Sequence, residues 1–105
     1  MDAMLPPELE QLVRTAIARD ASDLFIVPDE PPAVRLHGAI ERIDAPGVPA
    51  EETERLALAV FGGDQVGRLG LQTGVLKRWC GLPGEYNASV AVSRSAAGYA
   101  LALRI

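Results

Sequence analysis

Apolar residues recur along this chain with two different periods. Leu9, Leu12, Val13, Ala16 and Ile17 fall at i, i+3, i+4, i+7 and i+8, the spacing of one buried stripe on an α-helix. Pro6 and Pro7 suit its first turn, Glu8 and Glu10 its positive end, and Arg14 and Arg19 lie towards the other end. An amphipathic helix packed on a sheet is predicted. The next run, 23–27, is apolar at Leu24, Phe25, Ile26 and Val27, which predicts a central strand covered on both faces. Pro28, Asp29, Glu30, Pro31 and Pro32 form a turn, and a second extended run to Ile43 is broken at His37 and Gly38. Glycine takes positive φ without steric cost, so a tight hairpin is expected there. A two-residue loop would set Val34 opposite Glu41 and Arg35 opposite Ile40.

The connector 44–49 is rich in proline and glycine, and 50–61 opens with Glu51 and Glu52 and stops at Gly62. This predicts a second helix with Leu56, Ala59, Val60 and Phe61 inward. A short third helix over 64–72 is weakened by Gly67 and Gly70. From Thr73 onwards the period is that of strands, with runs at 75–81, 85–93 and 99–105 and turns at 82–84 and 95–98. Tyr86, Ala88, Val90 and Val92 alternate with Glu85, Asn87, Ser89 and Ser93, and Tyr99, Leu101 and Leu103 repeat the pattern. Strands, two inserted helices and a three-strand meander give an α+β domain, an antiparallel sheet with helices packed on one side.

At 105 residues the chain holds one modest core, so residues 1–105 are read as a single domain. Composition narrows the partners. A net charge of −4 without a basic stripe argues against nucleic acid. The single cysteine, Cys80, leaves no internal disulfide and fits a reducing compartment. No run approaches the roughly 18 apolar residues of a membrane span, and the start lacks a signal-peptide pattern. A cytoplasmic chain is expected.

Chemistry-bearing residues are sparse. Gly62 followed by Gly67, Arg68 and Leu69 imitates a phosphate-binding loop but lacks its Lys and its Ser or Thr. His37 has no second ligand at metal-binding spacing, and Cys80 has no evident base beside it. No carboxylate pair or serine elbow suggests catalysis.

Ala21-Ser22-Asp23-Leu24-Phe25-Ile26 after a helix, then Pro31-Pro32-x-Val34-Arg35-x-x-Gly38, resembles the N-terminal domain of the type IV pilus retraction ATPases, the PilT and PilU group of the type II/IV secretion ATPase family. Phe25 stands where most members have His and resembles the PilU side. The likeness runs over nearly the whole chain to Ala102-Leu103-Arg104-Ile105, where the family passes into a linker and an ATPase domain. It implies a PAS-like fold and a non-catalytic assembly domain that docks on the ATPase domain of the same or a neighbouring subunit in a hexameric motor for twitching motility. It implies contact with pilus or secretion machinery and a position peripheral to the inner membrane. No cofactor is expected for this chain, with ATP and Mg only if it is joined to an ATPase domain.

Family members carry Gly-Arg-Phe-Arg near the nucleotide, where this chain has Gly84-Glu85-Tyr86-Asn87. Both arginines are lost, leaving Arg94 and Arg104 as the cations expected at that edge. Phe25, Asp29, Glu30, Arg35 and Arg42 are the expected interface residues. The alternative is a stand-alone PAS-like small-ligand sensor or regulatory module, whose cavity would need convergent polar groups. The inward strand positions are mostly Val, Leu, Ala and Ile.

Overall fold

The structure, a computed structural model, describes residues 3–69, 74–81 and 87–105. Its elements run β1 (Ala3–Met4), α1 (Pro7–Ala18), β2 (Asp23–Ile26), β3 (Ala33–Leu36), β4 (Ala39–Arg42), α2 (Ala50–Phe61), α3 (Gly63–Leu69), β5 (Val75–Gly81), β6 (Asn87–Ser95) and β7 (Gly98–Arg104). The strands form one sheet in the order β1-β5-β6-β7-β2-β3-β4. Every pairing is antiparallel except that of β1 with β5. Two meanders, β2–β4 and β5–β7, are therefore joined where β2 pairs with β7, and β2 lies inside the sheet as its sequence predicts.

Helix α1 starts on proline with Glu8 and Glu10 in its first turn. It ends in a Schellman motif, with Asp20 at φ 60 in the left-handed region. The Ala21 N–H bonds Ala16 O at 2.9 Å and the Asp20 N–H bonds Ile17 O at 3.0 Å, which satisfies carbonyls the helix leaves unpaired. The hairpin β3–β4 has the two-residue loop expected, with His37 at φ 51 and Gly38 at φ 84. Val34 lies opposite Glu41 and Arg35 opposite Ile40. Both loop residues have positive φ, the backbone twist a two-residue hairpin requires.

The core lies between the helices and one face of the sheet. Leu24, Ile26, Val34, Val90, Val92, Leu101 and Leu103 from the strands meet Leu9, Val13, Leu56, Val60 and Val66 from the helices. Two expectations are corrected. On α2 the buried positions are Thr53, Leu56, Ala57, Val60 and Phe61, while Ala59 is exposed, because i, i+3, i+4, i+7, i+8 from Thr53 selects Ala57. On β2 only one face is covered: Leu24 and Ile26 are buried, Phe25 is half-buried and Val27 is exposed. The apolar run thus reflects one covered and one open face.

The third helix spans Gly63–Leu69, and the rest of its expected range, 70–72, lies outside the described residues, as does the turn at 82–84. Distant contacts fasten the helix layer. Arg78 Nη1 donates to Val60 O at 3.1 Å near the C-terminal end of α2. Arg55 bonds Glu52 on its own helix and reaches Glu8 of α1 at 3.3 Å. The Arg55 hydrogen bond holds the Glu52 carboxyl below its ordinary range.

Candidate interaction face

Directly opposed residues in an antiparallel pair project to the same side of the sheet, so the register defines what the open face carries. One row across the strands reads Arg42, Ala33, Phe25, Ala102, Ala91 and Lys77. The neighbouring row reads Ile40, Arg35, Asp23, Arg104, Ser89 and Trp79. Beyond the first row, Val75 faces Ser93 and Ser93 faces Ala100. The small side chains Ala91, Ala100, Ala102 and Ser93 line a shallow trough of about 240 Å³, bounded by Phe25 and Val27 on one side and Val75 on the other.

Among the described residues the exposed large apolar side chains are Val27, Ile40, Leu58, Val75 and Trp79, and all but Leu58 belong to this face. Trp79 is 62% exposed, Ile40 60% and Val75 55%. Val27 and Val75 join through the apolar floor of the trough, while Ile40 and Trp79 stand at opposite ends of a row that carries charge between them. An exposed apolar patch rimmed by polar residues marks an interaction site more often than singly scattered residues do.

The charges on the face are ordered. Arg35 Nε lies 3.3 Å from Asp23 Oδ2, and its guanidinium sits 5.5 Å from the Phe25 ring centroid. Arg104 approaches Asp23 from the other side at 3.9 Å. Arg42 meets Glu30 at 3.4 Å. Of the expected interface residues, Phe25 and Arg35 are in direct contact, and Arg42 with Glu30 flanks them. Asp29 is exposed in the β2–β3 turn at φ 66. Its N–H bonds Val48 O at 2.6 Å, and the Val48 N–H returns to Glu30 O at 3.0 Å, which ties the turn to the connector.

The two expected nucleotide-edge arginines are not brought together. Arg94 pairs with Tyr99 and Arg104 with Ser89, at opposite ends of the β6–β7 ladder. Arg94 stacks on Tyr99 at 5.3 Å, on the side of the helices, beside a hollow that also holds Glu51 and Glu54. Arg104 is on the open face. A nucleotide's phosphates need convergent donors, and these two cations do not supply them from one place. Glu85 and Tyr86 of the altered family motif lie outside the described residues, while Asn87 is exposed at the start of β6.

Trp79, Lys77 and Val75 were not singled out from the sequence. Alternation along β5 groups them, but only the pairing with β6 places them beside Ser89, Ala91 and Ser93, with Arg104 one strand further on. Among the described residues no group of three or more His, Cys, Asp or Glu side chains could hold a metal ion, and no helix is long and apolar enough to cross a membrane.

A one-sided sheet of six antiparallel strands, edged by the short parallel β1, under a helix layer is a fold shared with part of several solved ATPase structures. The ATPase DotB of Legionella pneumophila matches at TM-score 0.81 and 18% identity, over 97% of this chain and 30% of that one. DotB of Yersinia pseudotuberculosis matches at TM-score 0.71 and 16% identity, over 99% and 31%. At these identities the likeness is one of fold. The pilus retraction motor PilT, in a crystal structure with bound ADP, is similar at TM-score 0.78 and 28% identity, over 92% of this chain. The chain spans 28% of that motor's length. No protein-family model and no curated protein matches the chain.

Proposed function

We propose that this chain is the N-terminal assembly domain of a hexameric pilus-retraction or secretion motor ATPase, acting in twitching motility or a related export process. It is non-catalytic by itself and docks on the ATPase domain of its own or a neighbouring subunit. The observation that carries the reading is the likeness to PilT, which extends over 92% of this chain but only 28% of the motor. The open sheet face supports it, being apolar, accessible and bordered by charge. Ring assembly of this kind is heterologous, one surface meeting a different surface on the next subunit, so one domain supplies half of the contact.

Two consequences follow for the isolated chain. It neither hydrolyses Mg-ATP nor binds it tightly, and calorimetry giving a micromolar dissociation constant, about −8 kcal/mol, would contradict the reading. It is also monomeric or weakly associated at about 100 μM, the range that exposes self-association of roughly −5 to −6 kcal/mol. The direct test is sedimentation of the chain mixed with the PilT-type ATPase domain of its own organism. A stoichiometric complex is expected; a stable hexamer of this chain alone, or no complex, would contradict the proposal.

A further inference from the structure

We infer that the open sheet face receives an amphipathic helix of the partner whose apolar stripe is flanked by carboxylates. The inference rests on the docking reading and specifies the chemistry of what docks.

Shape is the first argument. The trough is concave and floored by Ala91, Ala100, Ala102 and Ser93, so the backbone of an incoming element can approach closely. Phe25 and Val75 rise on its two sides. A helix, a cylinder about 10 Å across with side chains, fits such a trough, and the other face of the same sheet already holds helices.

Charge is the second and decides the sign of the partner. Arg35, Arg42, Lys77 and Arg104 stand on or beside the face against Asp23 and Glu30, so the face is locally positive on a chain with net charge −4. Arg42 and Lys77 mark the two ends of the apolar row, and Arg35 and Arg104 line its neighbour. A ligand apolar along its centre and acidic along its borders meets each of these groups with its complement. A basic helix meets repulsion. An anionic membrane would be met best by a protruding apolar centre and uninterrupted cations, whereas here the centre is recessed, the exposed Trp79, Ile40 and Val75 stand at the borders, and Asp23 sits among the arginines.

Trp79 is the only tryptophan in the chain and stands exposed on this face, so its emission reports occupancy. The full chain is titrated with a synthetic helical peptide bearing Leu at i, i+3, i+4 and i+7 flanked by Glu. Parallel titrations use the same peptide with Lys for Glu, vesicles of phosphatidylcholine and phosphatidylglycerol, and the PilT-type ATPase domain of its own organism.

The Glu peptide and the ATPase domain should each shift Trp79 emission to the blue and saturate. High salt should weaken the Glu peptide by about tenfold. Lys77→Glu with Arg104→Glu should weaken it by about tenfold or more and admit the Lys peptide. These positions are exposed, so an unchanged circular dichroism spectrum certifies the fold, and Ala102→Glu provides an independent block of the floor. Equal binding of both peptides, no response to the Glu peptide, or vesicle binding in preference to it would overturn the inference. An ATPase domain that binds without moving Trp79 would overturn it while sparing the docking reading. A Glu peptide that binds when the ATPase domain does not would overturn the docking reading and leave the chemistry of the face standing.

Discussion

On β7, Tyr99, Leu101 and Leu103 face the helices and are buried, while Ala100, Ala102 and Arg104 alternate with them on the open side. The same division runs through β6, where Ala88, Val90 and Val92 point inward and Ser89, Ala91 and Ser93 outward. One set of strands therefore carries two surfaces of different composition. The inner surface is large and branched, so it fills space against α1, α2 and α3 and holds the fold. The outer surface is small in the middle and charged or aromatic at its borders, which suits a contact made and released in water.

The largest expected effect lies on the inner face. Leu101→Ala should destabilise the chain by about 2–5 kcal/mol, the cost of deleting a fully buried leucine, read as a lowered urea midpoint. Ala102→Ser, one residue away and facing out, should stay within about 0.5 kcal/mol. Similar losses for the two would erase the distinction between the faces.

A steric test comes next, at the border between them. Gly47 lies against the β2–β3 turn, where an added Cβ would meet Asp29 O at 2.9 Å. Gly47→Ala should cost about 1–3 kcal/mol, the range of overpacking a tight contact. An unchanged midpoint would mean that the connector does not hold that turn.

Phe25→Ala should cost only about 1 kcal/mol, since the ring is half-buried and its contact with Arg35 adds at most a modest cation–π contribution. Its effect on docking to an ATPase domain should exceed its effect on folding. A loss as large as that of Leu101→Ala would place Phe25 in the core instead.

The smallest effect belongs to the helix layer's own surface. Glu52 has its carboxyl pKa lowered by the Arg55 hydrogen bond, so its stabilisation is present above the unfolded value. It is lost as pH falls through the lower folded value. Glu52→Gln should remove that acid dependence with little change at neutral pH, an exposed pair being screened by solvent. A larger change at neutral pH than for Phe25→Ala would reverse this ranking.

Local chemistry makes several elements legible in the sequence alone. The proline start and i, i+3, i+4 stripe mark α1, and His37-Gly38 marks the β3–β4 hairpin, whose register the sequence leaves open and the structure supplies. The strand period located most of β5, β6 and β7. What stayed hidden depended on pairing across long sequence distance. Leu24-Phe25-Ile26-Val27 reads alike for a strand buried on both faces and one exposed on one face; only Ala33 and Ala102 beside Phe25 distinguish the cases. Arg78 near the end of α2 has no local signal, and β1 is too short to show a period. Of the expected interface residues Phe25, Asp29, Glu30, Arg35 and Arg42, three lie in the open-face rows, Phe25, Arg35 and Arg42, while Trp79 and Lys77 join those rows only through pairings across β5, β6 and β7.

Alanine-methyl NMR tests the division of labour most directly, because alanines sample both surfaces. Ala91, Ala100 and Ala102 lie on the open face, while Ala16, Ala57 and Ala88 are buried in the helix-side core. On addition of the ATPase domain of a PilT-type motor from the same organism, the first three methyl signals should move and the second three should hold. Shifts confined to Ala16, Ala57 and Ala88, with the open-face methyls unmoved in a formed complex, would contradict the assignment of docking to the open face.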